Sequence, residues 1–295
     1  MVKSRNDLFF MSFVYLFIAA VFVVTFYPFW NILIISLNSA EDTLRGNLYF
    51  WPRDFSLASY EQILSDGEIW TAIKVTTLRT IIGTPLAVVV ISMLSYTLSK
   101  RELVGSRFWT LYFIFTMYFG GGLIPYYMVL KSLHLIDNFM VYILPSMMNV
   151  FYMIIVRTFM QQLPQELDES AKIDGANYLQ IFFRIILPLT TPVLATIGMF
   201  TAIMHWNSWF DSYVFTYDSD LKTLQAVLVK ILNQYQTGSM VNDAQQAADA
   251  SKRMAVSPDT IRMAATMVAT LPILMVYPFL QKYFVKGMTL GAVKS

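Results

Sequence analysis

Apolar positions along this chain gather into six long blocks separated by more polar stretches. The blocks cover about 9–37, 70–98, 108–130, 139–159, 187–210 and 261–284, each reaching the roughly 20 residues a helix needs to cross a bilayer. The pattern predicts an all-α integral membrane protein with six transmembrane helices, organised as one membrane domain over 1–295. Two blocks carry irregularities. Lys74 and Arg79 interrupt the second, leaving only 81–98 cleanly lipid-compatible, so these charges must snorkel or face protein and water. The third holds Gly120, Gly121, Gly122 and Pro125, which predict a bent or unwound end. Such a break persists at membrane depth only where protein or a cavity covers it.

The polar stretch at 163–188 differs from the others because it alternates charge with apolar residues. Pro164 suits a first helical turn, where its missing N–H costs nothing. Gln165, Glu166, Asp168 and Glu169 crowd the positive end of the helix dipole. Leu163, Leu167, Ser170, Ala171 and Asp174 recur at spacings of three and four, giving a narrow face of small and apolar groups. Gly175 is placed to end that helix in a left-handed conformation. A second helix is expected to follow, with Leu179, Phe182, Phe183 and Ile186 on one side. A helical hairpin at the membrane surface, built to hold another protein, is the reading. The longest polar insert, 212–259, reads as an extracellular loop, and 39–67 is amphipathic enough to lie along the headgroups.

Composition agrees with the pattern: 56% of residues are hydrophobic and 14% charged, where soluble domains average about a quarter charged. A net charge of +2 is too small and dispersed for nucleic-acid binding. The first apolar block is far longer than a signal-peptide core of about 7–15 residues, so it reads as a retained span. Lys3, Arg5, Lys100, Arg101, Arg107, Arg157, Lys172, Arg184, Lys282, Lys286 and Lys294 fall in alternate segments, which the positive-inside rule assigns to the cytoplasm. Glu41, Asp42, Asp54, Glu61 and Asp66 lie opposite. An even number of spans also puts both termini inside.

Catalytic chemistry finds little support. Cysteine is absent, and the two histidines, His134 and His205, have no metal-spaced partners, so no metal site is expected. His205, beside Trp206 in the fifth block, reads as a satisfied interhelical hydrogen-bonder. The phosphate-loop pattern for ATP is missing. Acidic residues collect in loops rather than as an intramembrane pair, so no catalytic residue is proposed and the chain is not expected to be an enzyme.

One stretch carries a family resemblance. Glu169, Ser170 and Ala171, three residues, Gly175, nine residues, Ile185, one residue, Leu187 and Pro188 resemble the EAA loop of ABC importer permeases. The family pattern is Glu-Ala-Ala, three residues, Gly, nine residues, Ile, one residue, Leu-Pro, and only Ser170 departs from it. The run from Ala171 to Ala176 is similar to the carbohydrate-uptake branch, as are the spacing of spans and the C-terminal stretch from Gln281 to Gly287. Within it, permeases for aldouronate, alginate or pectin fragments look nearest. The resemblance implies a type I ABC importer permease in a bacterial cytoplasmic membrane. It would pair with a homologous second permease, two ATPase subunits (expected as a homodimer) and an extracellular solute-binding protein that delivers an oligosaccharide. No cofactor is expected on this chain, since ATP and magnesium would sit on the ATPase. Coupling would run through Asp168, Glu169, Ser170, Ala171, Asp174, Gly175 and Leu179, an acid among them pairing with a basic residue of the ATPase, and the C-terminal tail would reach the ATPase dimer. A sugar path needs aromatic rings beside polar groups; its candidates are Tyr118, Tyr126, Tyr127, Asn149, Tyr152, His205, Trp206, Asn207 and Asp211. An ion-coupled secondary transporter and a membrane enzyme acting on lipid-linked sugar remain as alternatives.

Overall fold

The computed structural model describes residues 5–65, 67–100, 102–241 and 256–292. Part of the polar insert (242–255), the end of the C-terminal tail, and Lys3, Asp66, Arg101 and Lys294 of the charge pattern lie outside the described residues. The fold is helical, and the only strand-like pairing among the described residues is one bridge between Asn38 and Phe55. Residue contacts group into two compact units, Met1–Gly67 with Leu228–Pro272, and Glu68–Val227 with Ile273–Ser295.

In the first unit, α1 (Arg5–Ser36) is a 32-residue apolar helix, about 48 Å long at 1.5 Å per residue. None of the side chains in its most apolar stretch is buried within the chain, so its surface must be covered from outside. The segment after it is folded, not merely laid along headgroups. Helix α2 (Ala40–Leu44) is capped by Ser39. Buried Asn38 donates to Asp42 Oδ2 and Thr43 Oγ1, both at 3.0 Å, and accepts from the Asp54 N–H at 3.0 Å. Trp30 Nε1 donates to the Phe50 carbonyl at 3.1 Å and meets Trp51 edge-on, strapping 48–51 to α1. Helix α3 (Ala58–Leu64) is tied back through Tyr60 and Ser36 hydroxyls 2.7 Å apart.

The second unit is organised on α4 (Gly67–Ser99), a continuous 33-residue helix. After it come α5 (Ser106–Tyr118) and α6 (Leu123–Ser132), then a 3-10 turn at Phe139–Tyr142 and α7 (Val150–Met160). The hairpin helices are α8 (Glu166–Ile173) and α9 (Tyr178–Leu189). Next are α10 (Thr191–Asn207) and α11 (Phe210–Phe215); α12 (Leu224–Val241) and α13 (Pro258–Ala292) are each divided between the two units, at Leu228 and at Ile273. The main core joins Ala87 and Ile91 of α4, Met153 and Val156 of α7, Ile181, Phe182 and Ile186 of α9, and Leu194 and Ile197 of α10.

Several expected spans are not single straight helices. Only α1 and α4 are long and apolar enough alone among the described residues. The third block bends by 115° between α5 and α6, at the glycines, with Gly122 at φ +85°. The fourth is α-helical only from Val150 to Met160, about 16 Å and too short to cross alone. Pro145 lacks a helical donor there, and Asn149 starts α7 afresh by accepting the Tyr152 N–H at 3.1 Å. The fifth bends by 79° at Thr190. Within the insert read as a loop, α11 and α12 are formed, and Leu224, Ala226, Val227 and Leu228 are buried. The apolar spacing of 224–228 was masked by the polar composition that follows it.

Candidate functional site

The hairpin is built by local rules. Helix α8 ends in a Schellman motif: the Ala176 N–H reaches the Ala171 carbonyl at 2.9 Å and the Gly175 N–H reaches Lys172 at 3.0 Å. Gly175 has φ +80° and open space where a side chain would begin, so the backbone alone demands glycine. Asn177 then opens α9 with a capping box, exchanging 2.9 Å bonds with Gln180.

The expected faces are divided differently. Of the α8 stripe, Ala171 is buried and Leu163 and Leu167 are half-buried, whereas Ser170 and Asp174 are exposed. In α9, Phe182 and Ile186 enter the core while Leu179 and Phe183 point outward. A π-helical turn, Phe182–Ile186, explains the split. Pro188 cannot donate to the Arg184 carbonyl and its ring crowds that group, so the turn widens and rotates the register. Asp168, expected to face a partner, pairs with Lys100 of the same chain. Glu169 remains exposed. Ile173, passed over in the sequence, is 86% exposed and Leu179 60%, two apolar side chains on either side of Gly175 in the chain.

The other constellation surrounds a cavity of about 310 Å³, lined among others by Arg79, Tyr126, Tyr142, Asn149, Ser208 and Asp211. Arg79 was seen only as an interruption of the second span. It is 2% exposed, its Nη2 lies 2.5 Å from Asp211 Oδ2, and its guanidinium sits 4.5 Å above the Tyr142 ring. Asp211 Oδ1 accepts from Ser208 Oγ and the Ser212 N–H, each at 2.9 Å. The end of α10 at Ser208 makes this possible by turning the chain back toward α4.

Of the nine sugar-path candidates, the cavity collects Tyr126, Asn149 and Asp211. Tyr118 is exposed at the end of α5. Tyr127 instead meets the Tyr217 hydroxyl at 3.1 Å, and Tyr152 stacks on Phe200. Asn207 is exposed and Trp206 half-buried at the end of α10. His205 is fully buried, but neither ring nitrogen has a hydrogen-bond partner, against expectation. It is packed so tightly on Gly83 that a Cβ there would meet Nε2 at 2.6 Å. Steric fit between α4 and α10, not hydrogen bonding, holds it.

Residues 2–210 match the family model described as binding-protein-dependent transport system inner membrane component. The chain belongs to this family. Such permeases are multi-pass inner-membrane proteins that serve transport rather than catalysis, which leaves the carrier and enzyme alternatives without support. Among relatives, the polygalacturonan/rhamnogalacturonan transport system permease protein YtcP of Bacillus subtilis is 38% identical over 99% of this chain and 100% of its own. Protein LplC of the same organism is 38% identical over 95% and 93%. A solved bacterial ABC transporter involved in the import of the acidic polysaccharide alginate contains a chain that superposes with TM-score 0.84 at 29% identity, covering 96% of this permease and 99% of that chain. The fold is therefore that of a type I ABC importer permease.

Proposed function

We propose that this permease forms half of the path of an ATP-driven importer for uronate-containing oligosaccharides. The observation that carries the coupling half of this reading is the hairpin, whose Glu169, Ser170, Ile173, Asp174, Gly175 and Leu179 face outward. An ATPase subunit would seat on that face, with Ile173 and Leu179 as apolar anchors and Glu169 offering charge. Ala171 and Asp168 serve from behind, packing and pairing within the chain. A homologous second permease, two ATPase subunits and an extracellular solute-binding protein complete the assembly; the binding-protein-dependent family description and the ABC transporter neighbour support this reading. The whole chain, 1–295, acts as one membrane domain with six crossings, the bent and broken blocks each counting once. Both termini and the hairpin, 163–188, lie in the cytoplasm, and 212–259 lies outside. Sugar passes the cavity bordered by Tyr126, Asn149 and Asp211, whose hydroxyl, amide and carboxylate suit sugar hydroxyls.

Proteoliposomes holding the complete transporter test this. Oligogalacturonide uptake should require ATP, the co-purified ATPase and the loaded binding protein. Gly175→Asp should abolish uptake while leaving membrane insertion intact, because an L side chain opposes the left-handed backbone. Uptake driven by an ion gradient through this chain alone, or normal uptake by the Gly175→Asp variant, would overturn the assignment.

A further inference from the structure

The inner side of the hairpin is fastened to the end of α4 and the loop after it. Lys100 pairs with Asp168 of α8 and lies 4.2 Å above the Tyr96 ring. Glu102 is held twice: Lys172 Nζ of α8 donates to Oε1 at 2.7 Å, and the Tyr178 hydroxyl of α9 donates to Oε2 at 2.8 Å. The Tyr96 ring packs 5.2 Å from Phe182 of α9. Both hairpin helices are thus bonded to one short piece of chain contiguous with α4.

The remaining connections of the hairpin are less direct. Before α8 the backbone leaves helical order between Met160 and Glu166, and after α9 it bends by 79°. Helix α4, by contrast, stays helical for 33 residues from Gly67 to Ser99, with Pro85 as the one residue between Arg79 and Ser99 that cannot donate to the helix ladder. It carries Arg79, on the cavity lining, about 30 Å from its Lys100 end at 1.5 Å per residue. A displacement entering at Lys100 and Glu102 therefore has a continuous helical route to the cavity.

We infer that Lys100 and Glu102 are positioning residues for coupling, carrying movement of the hairpin into α4 through their bonds to Asp168, Lys172 and Tyr178. The inference rests on the reading that the outer face of the hairpin docks an ATPase. A cavity of about 370 Å³ beside the brace, bordered by Tyr96, Lys100, Glu102, Asp168 and Lys172, leaves the side chains room to shift together. If the brace is rigid, each hydrolysis moves α4. If it is cut, the ATPase still binds the outer face and turns over, but α4 is not driven.

Charge reversal and restoration separate this from a merely structural role. In the reconstituted transporter, Lys100→Asp and Asp168→Lys should each retain ATP hydrolysis while sugar moved per ATP falls about fivefold or more, within the usual span of coupling effects. The double exchange should return the ratio to near the wild-type value. Glu102→Gln, a milder change at an exposed carboxylate, should lower the same ratio less and leave assembly untouched. It decides the matter if the reversals prevent the ATPase from co-purifying. An unchanged ratio in Glu102→Gln and the single reversals, or a double exchange no better than either single, overturns the brace. Neither result touches the transport assignment, which fails only if the wild-type complex shows no ATP-driven uptake.

Discussion

Two ion pairs fix α4, one at Arg79 in its interior and one at Lys100 just past its last residue, and they are built for different purposes. Arg79 and Asp211 are 2% and 23% exposed, bidentate, stacked on Tyr142 and supported by Ser208 and Ser212. Lys100 and Asp168 are 16% and 21% exposed beside an open cavity, joined through a single ammonium on a flexible stem. A guanidinium presents a planar fork that holds one geometry, whereas an ammonium is a point charge that tolerates reorientation. The first pair suits a joint that must not open inside the membrane. The second suits one loaded and unloaded at every turnover. Burial has the same sign at both pairs, and the difference lies in how completely each partner is satisfied without the other.

The sharpest way to break the comparison is to remove Arg79. Arg79→Gln leaves Asp211 half-buried without its cation, and losing one member of a buried pair costs about 3–5 kcal/mol. Folded yield and thermal stability in detergent should fall steeply. Arg79→Gln with Asp211→Asn removes both charges and should recover most of the loss. Lys100→Asp should lose far less stability than Arg79→Gln. If the two single variants melt alike, the distinction between a fixed joint and a working one is wrong.

A smaller effect is expected at Gly83, one turn along α4 from Arg79. Gly83→Ala drives a methyl into buried His205, with ring atoms 2.6 and 2.8 Å from its Cβ, an overpacking worth about 1–3 kcal/mol. His205→Ala in the same background should relieve part of that cost, and melting of the single and double variants measures it. Gly175 supplies the contrast. Nothing lies within 4 Å of its missing side chain, so a neighbouring truncation cannot rescue Gly175→Asp as it rescues Gly83→Ala.

These two glycines also mark what the sequence made legible. Gly175 follows a local rule, helix then left-handed stop, and its φ of +80° matches the expectation drawn from residue order alone. Gly83 depends on His205, 122 residues away, and nothing local announces that contact. The same division runs through the site. The stop at Gly175, the hairpin turn and the bend at Gly120–Gly122 were readable because they are settled within a few residues, whereas Pro164, expected in the first turn of α8, lies just before the Gln165 cap. The partners of Arg79 and Asp168 were not, since a charge in an apolar block signals only that some partner exists. The π turn at Phe182–Ile186 was half visible: Pro188 announces a disturbance, but the face it turns inward depends on the core of α4, α7 and α10. Exposed Ile173 was missed because an isoleucine among charges looks like the inner face of a helix.

The finest test of the comparison uses pH, because the two cations differ in whether they can be discharged. A guanidinium keeps its charge throughout the accessible range. Burial, with repulsion from Lys172, brings the Lys100 amine from its ordinary 10.5 down to about 8, against the opposing pull of Glu102. Between those values the unfolded chain binds more protons than the folded one, so this group makes the fold more stable as pH rises. Its bond to Asp168 runs the other way, complete below about pH 8 and lost as the amine discharges above it. Of the other groups facing Lys100, Lys172 is held protonated and Glu102 ionised by their mutual hydrogen bond, so that part of the brace persists. Sugar moved per ATP should therefore decline about twofold to fivefold on the alkaline side, a modest coupling change, without a matching loss of thermal stability. Lys100→Arg, always charged, should flatten the decline. A flat profile in the wild type, or an identical decline in Lys100→Arg, would show that the Lys100 pair is as fixed as the Arg79 pair.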